Sequence, residues 1–522
     1  MKSGTHPSQQ GFAAGMILGG LPLSGLDASQ ARARAAELVA AYLGLGVRAF
    51  VFPGVLLEEP ELLAELVRLV RRSAEAGGSG SPLLALGDEL QPGFGQAQLE
   101  GLPNPLGIAA LESPAAAKRA GSLLGARLAA AGIDLLLAPR LDLASDPKGR
   151  AGVLDCFGED PQPVARLGAA FARALARHGV AACAGRFPGL GTLCGSCSEL
   201  PPLMSQPADR LVAHELRPFS RLIRRGVAAV LVGRALVPSF EPEKIPAARS
   251  ARIIEGRLRE ELHFRGLVIG DDLAGEREPG RAAVLGALAG CDLSLASTPE
   301  IVELAAAALK AAAAEGELPT PRLVVAGRRL DYLVRLSERR GAHPASPNRA
   351  LAEACARDLE ASLTRLRGGA AQDYDSGSTL VALFVPPGGT ASETESAAAA
   401  IRAELPAAHL ETLHADPAAS EVDAVSALLS EKGRYRSAAI FTCDAHLRPT
   451  QEGLARSIEE AVERSAVVAM RDPYDAAFFP RASLLLAAYG FSAAACGAAA
   501  RFLAGRAEAG GRCPVQVIGL EV

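Results

Sequence analysis

A pair of carboxylates closes a short apolar run in the second half of the barrel-like region. Residues 265–273 read Arg-Gly-Leu-Val-Ile-Gly-Asp-Asp-Leu, so Asp271 and Asp272 directly follow a stretch typical of a buried parallel strand. Loops at the carboxyl ends of such strands carry the catalytic groups of α/β barrels. Asp271 is therefore predicted to be a glycosidase-type nucleophile at the mouth of a barrel, with Asp272 supporting or capping. The alternative is that Asp271 only caps the following helix.

Strand-like and helix-like segments, which would position this carboxylate, alternate regularly as far as about residue 340. Amphipathic, helix-like stretches at 28–43, 59–72, 114–131, 162–177 and 299–314 separate most of the strand-like runs. The eight apolar runs are Phe12–Leu18, Ala49–Phe52, Leu83–Leu86, Leu135–Ala138, Val180–Cys183, Ala228–Val232, Leu267–Ile269 and Leu293–Leu295. This alternation predicts an α/β fold with an N-terminal (β/α)8 TIM-like barrel over residues 1–340. A doubly wound open sheet stays open as the alternative, because periodicity does not distinguish the two.

The remainder of the chain predicts a second, smaller domain. Residues 341–349 begin Gly-Ala-His-Pro-Ala-Ser-Pro-Asn, a composition typical of a linker. Strand-like runs at Leu380–Val385, Ala438–Phe441 and Ala466–Met470 then alternate with helix-like stretches. Residues 350–522 are accordingly predicted to form a C-terminal α/β sandwich domain.

The composition of the chain bears on its binding partners and on its location in the cell. The formal charge is −4 over 522 residues, so no basic surplus favours nucleic acid or an anionic membrane as a partner. No charge-free apolar run is long enough for a transmembrane helix, and the N-terminus lacks the shape of a signal peptide. Nine scattered cysteines, an odd number, fit a reducing cytoplasm, which is the predicted location.

Cysteines and histidines give little reason to expect a metal or cofactor. Cys194-Gly195-Ser196-Cys197 has Cys-x-x-Cys spacing, which would suit a redox or metal role, but no second pair follows at zinc-finger spacing. A pair of incidental loop thiols is the simpler interpretation. The eight histidines show no His-x-x-x-His or similar ligand spacing. We therefore expect no metal site and no cofactor.

Three groups of motifs, taken in order along nearly the whole chain, resemble glycoside hydrolase family 3, specifically its bacterial two-domain β-N-acetylglucosaminidase branch. They are Phe187-Pro188-Gly189-Leu190-Gly191 with Leu200-Pro201; Ile253–Leu262 running through Phe264 and Gly266 into Asp271-Asp272-Leu273; and Asp472-Pro473-Tyr474-Asp475 with Ala488-Tyr489-Gly490 and Gly511–Val515. The resemblance implies a retaining hydrolase in which Asp271 is the nucleophile. It also implies a carbohydrate ligand, namely a β-linked N-acetylglucosaminide such as a peptidoglycan fragment.

The proton donor of the family has no counterpart in this chain. The resemblance places a His-Asp dyad, the general acid/base, on the loop after the Phe-Pro-Gly motif. Residues 192–199 here read Thr-Leu-Cys-Gly-Ser-Cys-Ser-Glu, with neither His nor Asp. A thiol has the wrong pKa for this work, so Glu199 is the one local carboxyl that could substitute. A solvated loop glutamate is the simpler interpretation of Glu199.

Residues that would hold the sugar also differ from the family pattern. The family's Lys-His before Phe-Pro-Gly is Gly185-Arg186 here, and its Ala-His after the sixth strand is Gly233-Arg234. Arg186 and Arg234 could form an anion-binding pair in the barrel mouth or merely make surface salt bridges. Asp88 either matches the family's acidic strand end with an offset of one position or is unrelated to it. Asp155 stands where the family has an arginine, which reverses the charge and removes a bidentate donor.

Two functions from different classes follow. One is hydrolysis of β-N-acetylglucosaminides with a changed proton donor; the other is a catalytically silent homologue that binds a glycan or a protein partner. Some relatives take their acid/base from the C-terminal domain, where the candidates in principle are Asp444, Glu452, Asp472 and Asp475.

Overall fold

The computed structural model describes residues 13–87, 101–145, 153–190, 201–340, 348–369, 374–387, 389–431 and 433–520. The chain divides into two compact units. The first comprises residues 1–97, 121–142 and 168–348, and the second comprises 98–120, 143–167 and 349–522. The division falls inside the predicted linker, but the second unit also contains two earlier segments. The predicted domain bounds of 1–340 and 350–522 stay a prediction.

Eight parallel strands close into a barrel in the first unit, which confirms the predicted fold and excludes the open sheet. Closure is made by β1 and β8, where Leu18 lies beside Leu295. The strands are β1 (Ile17–Gly20), β2 (Ala49–Pro53), β3 (Leu83–Gly87), β4 (Leu135–Leu136), β5 (Ala181–Phe187), β6 (Ala229–Val232), β7 (Leu267–Gly270) and β8 (Leu293–Ala296).

Helices follow the strands as predicted. Those of the first 340 residues are α1 (Ala28–Leu45), α2 (Pro60–Ala76), α3 (Pro105–Ala110), α4 (Pro114–Ala131), α5 (Pro161–Ala176), α6 (Ala208–Ala213), α7 (Leu216–Arg224), α8 (Pro279–Ala289), α9 (Pro299–Ala314) and α10 (Thr320–Arg340), with a π-helix at Arg252–Glu261. Local sequence explains their ends. Asp27 caps α1 in a reciprocal pair with Gln30, and Gly46 ends it in the left-handed region at φ 93°.

The first strand begins later than the apolar pattern predicts. Residues 13–16 form helix and turn, and β1 runs from Ile17 to Gly20 rather than over 12–18. Glycines discourage a strand assignment, yet the fold requires one here. A Cβ on Gly20 would lie 2.8 Å from the carbonyl oxygen of Ser297, at the end of β8.

The barrel interior is a continuous apolar core. Leucine, valine and alanine side chains from all eight strands meet there, and Leu330, Leu333 and Val334 of α10 pack against them. The core therefore extends into the helix that follows the last strand-helix pair. None of the described helices is both long and apolar enough to cross a membrane. The predicted cytoplasmic location stays a prediction.

The second unit is built on a six-stranded sheet in the order β11-β10-β12-β13-β14-β9, parallel except for β9. Its strands are β9 (Thr364–Arg367), β10 (Thr379–Val385), β11 (His409–His414), β12 (Ser437–Thr442), β13 (Arg464–Ala469) and β14 (Leu484–Ala487). Its helices after residue 348 are α11 (Arg349–Ser362), α12 (Ala391–Glu404), α13 (Ala419–Ser430), α14 (Pro449–Ala461) and α15 (Ala493–Leu503). The sequence predicted three of these strands, β10, β12 and β13.

Specific contacts tie the two earlier segments into the second unit. Arg119 and Asp358 form a bidentate ion pair with distances of 2.7 Å and 2.6 Å between guanidinium nitrogens and carboxylate oxygens. The Tyr474 hydroxyl donates to the carbonyl of Ala144 at 3.3 Å. Such pairings over long sequence separations are not visible in a linear pattern, which explains why the sequence predicted a single boundary.

Candidate functional site

Asp271 lies at the carboxyl end of β7, where its carboxylate is held by the backbone. Its Oδ1 accepts from the amide of Asp272 at 2.9 Å, and its Oδ2 accepts from the amide of Arg234 at 3.2 Å. The Asp271 amide donates to the Val232 carbonyl at 2.9 Å and continues the β6–β7 ladder. The side chain is partly exposed. Backbone donors on both oxygens orient this carboxylate, and no cationic side chain among the described residues pairs with it, which suits a nucleophile.

Asp272 has a structural role beside it. Its Oδ1 accepts from the amides of Ala274 and Ser297, both at 3.1 Å, so it caps the 3-10 turn at Leu273–Gly275 and ties that turn to the end of β8. Burial raises the pKa of the Asp272 carboxyl, although the hydrogen bonds oppose the rise. This geometry agrees with the interpretation of Asp272 as a supporting residue.

Arg234 lies against the same turn. Its Nη1 donates to the carbonyl of Gly275 at 2.7 Å, and a Cβ at position 275 would lie 1.9 Å from that nitrogen. Glycine at 275 is therefore what allows the guanidinium to lie on the turn. Arg234 thus contributes its backbone amide to Asp271 and its side chain to the loop after Asp271.

Arg186 lies next to this group through the β5–β6 pairing. A Cβ on Gly233 would lie 3.4 Å from the Arg186 Cβ, so residues 186 and 234 occupy neighbouring strand ends. The guanidinium of Arg234 is engaged by Gly275, as described above. The predicted anion-binding pair of Arg186 and Arg234 stays a prediction.

Comparison with known proteins identifies the barrel. The family model for the glycosyl hydrolase family 3 N-terminal domain matches residues 23–333, more than half of the chain. The chain belongs to glycoside hydrolase family 3. The resemblance predicted from the motifs is thereby confirmed.

Individual relatives within family 3 agree. A β-hexosaminidase of Stenotrophomonas maltophilia (strain K279a) is 36% identical over 194 residues, which is 36% of this chain and 57% of that relative. A β-hexosaminidase of Xanthomonas campestris pv. campestris (strain B100) is 35% identical over the same length and shares. The chain therefore spans a little over half the length of these curated relatives.

Solved structures extend the similarity to both units. A family 3 β-N-acetylglucosaminidase from Paenibacillus sp. str. FPU-7 has a TM-score of 0.85 at 25% identity, covering 98% of this chain and 99% of that one. A β-glucosidase from Listeria innocua in complex with isofagomine has a TM-score of 0.71 at 15% identity, over 99% of this chain and 75% of that one, and shows the fold alone.

Within this family 3 barrel, sequence reasoning missed Glu276 and Arg249. Arg249 Nη2 and Glu276 Oε2 are 2.8 Å apart, with side chains only 20% and 12% exposed. Burial raises the pKa of Glu276; Arg249 and Arg234 oppose the rise, and the negative charge of Asp271 adds to it. Glu276 is thus a second carboxyl on the loop of Asp271. Its place five residues after the nucleophile position was the available signal.

Two predicted site residues, Asp88 and Glu199, lie outside the described residues, as do Cys194 and Cys197. Residues 192–199, which correspond to the loop with the acid/base dyad in the family, contain neither His nor Asp.

The candidate acids of the second unit belong to a buried charge network at the carboxyl ends of β12 and β13. His446 Nδ1 is 2.7 Å from Asp475 Oδ1 and 3.8 Å from Asp472 Oδ1, and Arg471 pairs with Asp444 at 3.2 Å. Glu452 does not belong to the network, because it pairs with Arg456 along α14 at 3.0 Å.

Burial and charge pairing shift the pKa values of His446 and Asp472 in this network. Burial opposes the charged form of His446, but the hydrogen bond to Asp475 and the charge of Asp472 outweigh it and raise the His446 pKa to about 9. Burial raises the pKa of Asp472 to about 7, against the pull of His446. Among the described residues, His446, Asp472 and Asp475 are the group with metal-ligand spacing. In the structure these side chains form an ion-pair network, and the expectation of no metal site stays a prediction.

Proposed function

We propose that the barrel hydrolyses β-linked N-acetylglucosaminides with retention, using Asp271 as the nucleophile. The observation that carries this proposal is the Asp271 carboxylate, partly exposed at the carboxyl end of β7 and oriented by two backbone amides. A retaining enzyme needs such a carboxylate to attack the anomeric carbon and form a glycosyl-enzyme that water releases. The β-hexosaminidase relatives and the Paenibacillus β-N-acetylglucosaminidase support the substrate class.

Two carboxyls compete for the role of proton donor. Glu199 is the sequence candidate, on the loop that carries the family's dyad. Glu276 is the structural candidate, because burial raises its pKa and it shares the loop of Asp271. A general acid needs a raised pKa to remain protonated near neutral pH. The ion pair with Arg249 opposes this in Glu276, so neither residue is assigned by geometry.

The nucleophile can be tested separately from the missing acid. A dinitrophenyl N-acetylglucosaminide needs almost no protonation of its leaving group, so turnover is expected if Asp271 works alone. A fluorinated N-acetylglucosaminyl probe should form a covalent adduct that peptide mass spectrometry places on Asp271. No turnover together with no adduct would defeat the hydrolase proposal.

Azide identifies the proton donor by stereochemistry. In an enzyme lacking its acid/base, azide should attack the glycosyl-enzyme and yield the β-azide with restored rate. Glu199→Gln and Glu276→Gln are the matched variants. The one that is rescued to the β-azide carries the acid/base, and failure of both would place the donor elsewhere.

The second function is a silent glycan- or protein-binding homologue. The observation that favours it is the absence of His and Asp from residues 192–199. It predicts that N-acetylglucosamine oligomers bind with similar affinity to wild type and Asp271→Asn, measured by calorimetry, without turnover. Binding that depends on Asp271 and is accompanied by adduct formation would contradict it.

A further inference from the structure

A groove of about 920 Å³ opens in the first unit at the amino ends of β5, β6 and β7. Its floor is apolar and includes Ala181, Ala182 and Leu267. Its walls come from the carboxyl-terminal ends of α5 and α7 and from one face of α10. A volume of this size is in the range of small-molecule sites, which is about 300–1,000 Å³.

Arginine dominates the lining of this groove. Five exposed arginines border it, and no aspartate or glutamate is among the described lining residues; the five are Arg173, Arg177, Arg225, Arg265 and Arg328. Within the described part of the chain, none of these five side chains makes a hydrogen bond or ion pair. A sixth, Arg329, is engaged by Asp292 at 2.9 Å. This concentration is unexpected in a chain with a formal charge of −4.

Helix ends account for only part of this charge. Arg173 and Arg177 lie at the end of α5, and Arg225 is the C-cap residue of α7, where cations favour the helix dipole. Each helix end contributes about half a negative charge, so two helix ends offset about one of the five positive charges. Arg265 precedes β7 and Arg328 lies inside α10, so neither has a helix end to complement.

We propose that this groove binds a soluble organic anion that carries two or more phosphate groups. A guanidinium group donates two parallel hydrogen bonds to two oxygens of one phosphate. Several arginines around one small cavity therefore favour a ligand with several negative charges close together. The apolar floor and Tyr332, a groove residue that is 68% exposed, would take an apolar or aromatic part of the ligand. The overall acidic charge of the chain disfavours a long nucleic acid strand as the ligand.

This site is distinct from the one around Asp271. Leu267 lies on the groove floor and Asp271 follows the other end of β7, four residues or about 13 Å along the strand. Binding in the groove can therefore be measured without any glycosidase activity.

The test uses adenosine diphosphate, inorganic pyrophosphate, orthophosphate and adenosine as probes, titrated calorimetrically into the full-length protein. We expect saturable binding of the diphosphate and of pyrophosphate, tighter for the diphosphate, and much weaker binding of orthophosphate and adenosine. Affinity should fall as salt is raised from about 50 to 200 mM, because exposed charges are screened. Tyr332→Ala should bring the diphosphate down to the affinity of pyrophosphate.

Paired variants make the result specific. Arg265→Ala with Arg328→Ala should weaken diphosphate binding by about tenfold or more, because two charge-assisted contacts are lost. Arg224→Ala with Arg335→Ala removes the same charge from exposed positions of α7 and α10 outside the groove lining, and should change binding by less than about twofold. Equal affinity of wild type and the groove variant would overturn the proposal. So would binding of phosphatidylglycerol vesicles or polyglutamate with none of the diphosphate.

Discussion

Two aspartates at opposite ends of neighbouring barrel strands have contrasting surroundings. Asp271, after the carboxyl end of β7, is partly exposed and its oxygens accept from two backbone amides. Asp292, before the amino end of β8, is fully buried and ion-paired with Arg259, Arg322 and Arg329 at 2.9–3.0 Å. The same residue type is oriented by backbone amides at one end of the barrel and paired with three arginines at the other.

The surroundings of Asp271 suit a reactive group, whereas those of Asp292 suit a group that stabilises the barrel. A nucleophile must keep its charge and an open face, so backbone amides suit it better than arginines. A buried carboxylate without cations would carry a large desolvation penalty, so Asp292 needs its partners. The family resemblance points to Asp271 alone, and the surroundings of the two residues give the physical reason.

Substitution of Asp271 should produce the largest effect, and on activity alone. Asp271→Ala is expected to lower kcat/KM for a dinitrophenyl N-acetylglucosaminide by about a thousandfold or more, because it removes the carboxylate that we propose forms the glycosyl-enzyme. Its unfolding free energy should change by less than about 1 kcal/mol, as for other partly exposed sites. A variant with normal turnover, or one that fails to fold, would erase the contrast with Asp292.

Substitution of Asp292 should produce the opposite pattern. Asp292→Ala leaves the buried Arg259 and its two neighbours without a counter-charge, and should destabilise the first unit by about 3–5 kcal/mol in urea unfolding. Asp331→Ala is the matched control, because Asp331 pairs with Arg48 at a partly exposed position, where solvent screening leaves such a pair a contribution of about 1 kcal/mol or less. Equal losses from the two variants would show that burial is not what matters.

The second unit contains a buried aspartate whose partner changes its charge with pH, unlike the arginines around Asp292. Asp475 is buried like Asp292, but its partner is His446, whose pKa of about 9 exceeds the unfolded value. The folded state therefore binds more protons between about pH 6.5 and 9, and the His446 contribution, on the order of 3 kcal/mol, is lost as pH rises through that window. Asp472, with a raised pKa of about 7, also makes the folded state less stable as pH rises, but at lower pH than His446.

Urea unfolding of the full chain at pH 6, 7.5 and 9 measures this slope through the transition of the second unit. His446→Gln should be less stable at pH 6 and should flatten the slope above pH 6.5, because the titrating partner is gone. A slope unchanged by the substitution would assign the pH dependence to another group.

The smallest expected effect concerns the turn beside Asp271. Gly275→Ala places a methyl group where Arg234 Nη1 lies, so the guanidinium must leave the Gly275 carbonyl. Because the guanidinium is the far end of a flexible side chain and can move aside, we expect a loss of stability of less than about 1 kcal/mol and a modest rise in KM, from substrate titration and urea unfolding. Gly256→Ala, where a Cβ meets no neighbouring atom, is the control; equal effects would remove the steric explanation.

Long-range pairing limits what the sequence predicts. The barrel strands were recognisable because each is a short apolar run, whereas β11 was not, because only Leu413 of its six residues is buried. Glu276 escaped notice because its interest depends on burial and on Arg249, which lies 27 residues earlier. The arginine groove was likewise hidden, because its residues come from four separate parts of the chain.

By itself, the sequence determined the alternating α/β pattern, membership of family 3 through its motifs, the position of Asp271 after a strand and the loss of the His-Asp dyad. These are local properties of residue type and spacing. Only the tertiary structure decided which carboxylates are exposed, paired or protonated, and which cations share a cavity. Solvation and charge pairing act between residues distant in sequence, so they exist only once the chain has folded.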